Sequence, residues 1–145
     1  MQSPEPLMFV QLEQVPFPDW LIDLSFCETN KQYVETEEIN EFVRLHLLPI
    51  VAEELGCPEG LHVTASHVHC SSDGLTPHDH LPHHYTSVLY LMDAEGDLIV
   101  HADLDHRVHP VEGRFVLMDA RLKHSVEASD CLRISLVTNY ATSPL

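Results

Sequence analysis

Between Thr36 and Leu55 the apolar residues Ile39, Phe42, Val43, Leu47, Ile50, Val51 and Leu55 recur every three or four positions. That spacing gathers side chains into one stripe and predicts an amphipathic helix. Thr36 offers an N-cap hydroxyl, Glu37 and Glu38 complement the positive end of the helix dipole, and Gly56 with Pro58 closes the segment. Pro49 removes a backbone donor and should kink the helix. Upstream, Leu7–Val15 alternates loosely as a strand, and a short helix is expected over Trp20–Phe26 after Pro16 and Pro18. From Leu61 the helical period gives way to short segments of strand character, most of them separated by Gly, Pro, Asp or Ser clusters: Leu61–Cys70, His78–His80, Tyr85–Met92, Asp97–His101, Arg107–His109, Arg114–Met118, His124–Glu127 and Cys131–Tyr140.

Eight short strands within about eighty residues predict two facing sheets. A jelly roll or double-stranded β-helix closes such a set without long exposed edges. The expected fold is therefore mainly β and cupin-like, with the helical stripe packed outside one sheet. One domain is expected over 1–145, divided into an N-terminal strand and helix support (1–57) and a β core (61–140).

Composition limits the partners. A chain of 145 residues suits a single domain, and 44% hydrophobic with 21% charged residues permits a packed core. The 23 acidic against 7 basic residues give a charge of −16, which repels phosphate backbones and anionic bilayers. Small-molecule or peptide substrates are expected, with no nucleic acid and no membrane; a homodimer is compatible with the sequence. The N-terminal residues lack the pattern of a secretory signal, so a cytoplasmic location is expected. Cys27, Cys57, Cys70 and Cys131 show no CxxC spacing and read as reduced, mostly buried thiols.

Histidine is the anomaly: twelve in the chain, eleven of them from His62 to His124. In an extended segment His78 and His80 would point to one side and could share a metal ion, and a sandwich could bring His124 across to them. Arg133 lies in an apolar strand, where an arginine without an anion is costly; Ser135 shares its face. An internal salt bridge is the plainer role for Arg133, and core packing the plainer role for Tyr90. His83 and His84 read as rim residues, His67 and His69 as either pocket or packing residues, His101, His106 and His109 as a solvated acidic turn, and His46 as structural.

His78-x-His80, Thr86–Leu91, Pro110-x-x-Gly113-Arg114-Phe115-Val116-Leu117, His124 and Arg133-Ile134-Ser135 follow one another as in the iron(II)/2-oxoglutarate-dependent oxygenases. Residues 61–140 resemble the compact prolyl-hydroxylase-like branch of that superfamily. The resemblance implies Fe(II) held by His78, His80 and His124, with 2-oxoglutarate taking two further positions and O2 the last. It also implies that Arg133, assisted by Ser135 and Tyr90, binds the far carboxylate of 2-oxoglutarate. The implied reaction couples decarboxylation of 2-oxoglutarate to succinate with oxidation of a substrate C–H bond, by default hydroxylation.

His80 stands where that family carries a carboxylate, which leaves the ligand set one negative charge short. Either His80 replaces it, or neighbouring Asp79 reaches the metal, or the site is not an oxygenase site. A three-histidine cupin (cofactor-independent dioxygenase, isomerase or binding module) and a non-catalytic sensor are the rival readings. A cupin usually has a glutamate four or five residues beyond its H-x-H pair, where this chain has His84 and Tyr85.

Overall fold

The computed structural model describes residues 7–25 and 32–143. Ten strands form two antiparallel sheets: β1 Phe9–Leu12, β2 Gln32–Val34, β3 His62–Ser71, β4 Leu75–His78, β5 Tyr85–Tyr90, β6 Leu98–His101, β7 His106–Val108, β8 Phe115–Asp119, β9 Lys123–Val126 and β10 Arg133–Ala141. The larger sheet runs β1-β8-β5-β10-β3-β2 and the smaller β4-β9-β6-β7. This is the double-stranded β-helix expected from the strand pattern. Each predicted strand from Leu61 onward has a counterpart, although β4 ends at His78 and leaves His80 in the following turn. The edge strand β2 had no clear signal in the sequence.

Three short helices support the larger sheet: α1 Trp20–Ser25, α2 Glu37–Phe42 and α3 Leu48–Glu54. Phe26, the last residue of the first predicted helix, lies outside the described residues. The Thr36 hydroxyl caps α2 by accepting from the Ile39 amide, as its position suggested. Between α2 and α3 the chain makes a π-helical stretch, Val43–Leu47, and Pro49 sits in the first turn of α3. A proline tolerates a first turn because its missing N–H is not needed there, so the expected kink is instead a local change of helical pitch. Gly56, at φ +77, ends the segment.

The two faces of the larger sheet have separate cores. Outside, Ile39, Phe42, Val43, Leu47 and Val51 pack on Val68, Leu89, Leu91, Phe115, Leu117, Ile134 and Leu136. Inside, Tyr90, Val116 and Met118 meet Leu98, Val100, Val108 and Leu122 between the sheets. Residues of β5, β10 and β3 alternate between these layers, so Arg133, Ser135, Val137 and Asn139 share the inner face. Beside this inner core the sheets leave a cavity with both apolar and polar lining, in which Val88, Tyr90, Leu98 and Val126 belong to core and cavity alike.

The cysteines depart from expectation. Cys70 is fully buried and disulfide-bonded, while Cys57 and Cys131 are free but exposed rather than buried. Cys27 lies outside the described residues. No helix among the described residues is long and apolar enough to cross a membrane.

Candidate metal centre

The ladder between β4 and β9 places His78 directly opposite His124. His80, two residues beyond, is held by its amide bonding to the Ala120 carbonyl (3.0 Å) and by its carbonyl receiving the His83 amide (3.0 Å). These local restraints bring one nitrogen from each of the three rings within 4.8 Å of the others. The expectation that alternate residues of one strand present both imidazoles is thus replaced by a strand end and a turn, with the same convergence.

The ring nitrogens are arranged for a cation. His78 Nδ1 lies 2.9 Å from the Thr76 carbonyl and His124 Nδ1 3.3 Å from the Leu122 carbonyl. A proton on each Nδ1 satisfies those carbonyls and leaves the Nε2 lone pairs directed at the cluster. His80 Nε2 and His124 Nε2 are 3.1 Å apart. Adjacent ligands of a first-row ion with metal–nitrogen bonds of about 2.1 Å stand about 3 Å apart, so the pair fits. Burial, reinforced by repulsion from neighbouring imidazoles, holds His80 and His124 to pKa values of about 4 and keeps both rings neutral at physiological pH. Neutral imidazole is the form that binds metal.

Asp79 is not part of this cluster. Its carboxylate accepts from the Leu81 amide at 3.1 Å. No carboxylate joins the three histidines as a donor group among the described residues.

The histidines open into a cavity of about 200 Å³ between the sheets, lined also by Tyr33, His67, His69, Leu75, Val88, Tyr90, Leu98, Val126, Arg133, Ser135 and Val137. Strand pairing explains this lining. Tyr90, Ser135, His69 and Tyr33 form one row across β5, β10, β3 and β2, and Val88, Val137 and His67 form the next. Tyr33 is 63% exposed and stacks on His69 with ring centroids 4.6 Å apart. Two larger surface grooves, about 670 and 650 Å³, lie beside Trp20 and Arg44, away from the three histidines. Convergent polar groups distinguish the smaller cavity, which volume alone would pass over.

Arg133 is only 7% exposed. Its Nη1 donates to the carbonyls of Glu127 (2.9 Å) and Glu95 (3.3 Å), and its Nη2 to that of Asp73. None of the ion pairs among the described residues includes it. The expected alternative of an internal salt bridge is therefore absent there. A guanidinium has five N–H donors, so Nε–H and one Nη2 hydrogen are left without an acceptor among the described residues. Neutral carbonyls fix the plane of the group without cancelling its charge, which suits it to a carboxylate entering the cavity. Gly96, at φ +93, adjoins Nη1 so closely that a Cβ there would overlap it. The sequence reading missed Gly96; its signal was only a glycine in an acidic turn.

The remaining histidines divide. His67 and His69 line the cavity, whereas His83 bonds to Thr64 and His84 to Thr142, away from it. His101 contacts Ser125 and Asp105, His109 pairs with Asp97, and His106 stacks on Phe9. His46 packs against Phe42.

No family model and no curated protein matches the sequence. Solved structures do match. An oxidoreductase of the 2OG-Fe(II) oxygenase family from Burkholderia pseudomallei aligns with a TM-score of 0.64 at 16% identity, covering 72% of this chain and 56% of its own. A Pseudomonas putida prolyl-4-hydroxylase aligns at 0.69 and 18%, covering 94% and 93%. The epimerase SnoN in complex with Fe3+, α-ketoglutarate and nogalamycin RO aligns at 0.69 and 15%, covering 92% and 78%. The chain thus spans little more than half of the Burkholderia protein but nearly all of the prolyl hydroxylase. The fold of this chain is that of the iron(II)/2-oxoglutarate-dependent oxygenases.

Proposed function

We propose that the protein is an Fe(II)- and 2-oxoglutarate-dependent oxygenase acting on a small molecule or on a residue within a peptide. One observation carries this reading: a single cavity contains three convergent imidazoles and a buried guanidinium with donors to spare. His78, His80 and His124 would hold the iron. When bound, iron and 2-oxoglutarate supply the oxidising chemistry with O2, releasing succinate and CO2.

The chain's own residues bind and orient. Arg133 takes the far carboxylate of the co-substrate through its remaining N–H groups, and the Ser135 hydroxyl adds a donor on the same face. Tyr90, 5% exposed and opposite Ser135, closes that end. Leu98 and Val126 make the intervening wall apolar, which suits the methylene carbons of a five-carbon diacid and strengthens the charge contact by excluding water. Histidine at position 80 supplies the third ligand without a negative charge. The acidic surface favours neutral or basic substrates over phosphate-bearing ones.

The test is product formation. Purified protein given Fe(II), 2-oxoglutarate and O2 should release succinate slowly without a substrate and faster with the correct one, and His124→Ala should abolish both. No succinate above the metal-free blank across a broad panel of amino acids, peptides and metabolites would overturn the proposal. A metal-binding protein indifferent to 2-oxoglutarate would instead be a cupin-type protein, for which Arg133 has no special use.

A further inference from the structure

One edge of the larger sheet is only partly covered. β3 runs over His62–Ser71, and β10 pairs with it from end to end. On its other side β2 pairs only with Val68, His69 and Cys70, after which the chain leaves the sheet at Glu35 and enters α2. Among the described residues nothing else pairs with His62–His67 on that side. Alternate residues of this stretch therefore aim their backbone N–H and C=O groups away from β10, towards a position that no described strand fills.

The open edge borders a groove. His62–Ser66 line one side of the groove of about 650 Å³ beside Arg44, and α2 with the start of the π-helical stretch lines the other. The Ser66 hydroxyl donates to Asn40 Oδ1 and ties the helix to the strand. Five extended residues span about 16 Å, which gives room for four or five residues of an added strand. Such a strand gains main-chain hydrogen bonds from β3 and side-chain contacts from the helix, the arrangement by which sheet edges capture extended peptides. Charge selects the occupant. Glu35, Glu37 and Glu41 line the groove against one arginine, Arg44, so basic side chains are attracted, whereas a second copy of this chain, at −16, is repelled.

The groove lies apart from the three histidines, but it meets their cavity at two strands. On β3, Ser66 lines the groove and the next residue, His67, lines the cavity; beside it, Glu35 lines the groove and Tyr33 of β2 the cavity. Tyr33 and His67 stand at this junction edge to face, with ring centroids 5.1 Å apart. We propose that the free edge of β3 docks an extended, lysine- or arginine-bearing segment of a peptide substrate by strand pairing, and that the residues adjoining the paired segment pass over His67 into the metal cavity. This rests on the oxygenase reading above, which admits a small molecule or a peptide, and it selects the peptide.

The test needs no turnover. A random decapeptide array is probed with metal-free wild type, and the tightest-binding sequence is resynthesised and titrated in solution. Selected sequences should be rich in lysine and arginine and poor in aspartate and glutamate. Methylating the peptide's amides one at a time should weaken binding at every second position of the paired stretch, because a strand donates to one neighbour from alternate residues. Glu35→Gln and Glu41→Gln should each weaken binding about two- to fivefold, with urea midpoints and Mn(II) affinity unchanged. Mn(II) added to the wild-type complex should broaden most strongly the peptide resonances at one end of the paired stretch. Three results would overturn the docking while leaving the metal centre intact: no preference for basic peptides, binding indifferent to both amide methylation and the two glutamates, or a dimer of the chain whose formation excludes the peptide. Mn(II) that binds without broadening the peptide would overturn delivery to the cavity. Failure of wild type to bind Mn(II) would remove the oxygenase reading and delivery together, and the methylation pattern alone would then decide whether the edge is a docking site.

Discussion

Nη1 of Arg133 occupies the space that a side chain on Gly96 would need. The buried cation therefore depends on a residue 37 positions away in sequence as well as on its three carbonyl acceptors. Gly96→Ala should displace the guanidinium and cost about 1–3 kcal/mol, because φ +93 is also unfavourable for alanine. Gly56→Ala is the control, having φ +77 but open space at the Cβ position. In thermal melts both variants should lose stability, but only Gly96→Ala should lose the further stabilisation by 2-oxoglutarate of the Fe(II)-loaded protein. Equal responses to 2-oxoglutarate would show that the close packing at Gly96 is irrelevant to binding.

Asp79 and His80 compete for the third ligand position on sequence grounds, and geometry separates them. The Asp79 carboxylate serves the Leu81 amide, while His80 faces His124. Asp79→Asn should leave metal affinity within about threefold, since it retains a side-chain oxygen for the turn. His80→Ala should lower affinity by at least the 10- to 100-fold typical of losing even an indirect supporting contact at a metal site. Metal titrations of the two variants check this, and a large loss in Asp79→Asn would point to a carboxylate ligand.

Acid should destabilise the metal-free chain before most carboxylates titrate. His69, His80 and His124 are each held to about 4, chiefly by burial, against an ordinary value of 6.5. Between those values the unfolded chain binds more protons than the folded one, so stability falls as pH drops from about 6.5 towards 4 and is unaffected by these rings above that window. Urea midpoints in EDTA at pH 7.5, 5.5 and 4.5 measure the slope. His69→Gln, which removes one titrating ring outside the metal cluster, should make it shallower; an unchanged slope would count against the burial of His69.

The outer core makes a simpler prediction. Leu47 is fully buried in the π-helical stretch against the larger sheet. Leu47→Ala should cost about 2–5 kcal/mol in urea unfolding without altering metal affinity of the folded protein. A change in affinity would mean that the helical layer shapes the site directly.

Much of this architecture is legible in the chain because its determinants are local. Alternation and turn residues mark the strands of the β core, and the stripe from Ile39 to Leu55 marks the helical layer. His78, His124 and Arg133 stand out as polar residues at strand ends or in apolar strands. Gly96 beneath the guanidinium and the edge strand carrying Tyr33 depend on pairings between distant segments, which periodicity does not encode. The pitch change before Pro49 and the disulfide at Cys70 likewise follow from tertiary placement. His80 is a mixed case: its convergence with the other histidines was legible, but its position in a turn beyond β4 was not.

The most direct measurement is an anaerobic calorimetric titration of 2-oxoglutarate into Fe(II)-loaded wild-type and Arg133→Gln protein, with metal-free wild type alongside. Wild type should bind one equivalent only when Fe(II) is present, and Arg133→Gln should bind Fe(II) normally but hold 2-oxoglutarate at least tenfold more weakly. Equal 2-oxoglutarate binding by all three samples, or none by Fe(II)-loaded wild type, would contradict a shared site built from three imidazoles and one guanidinium.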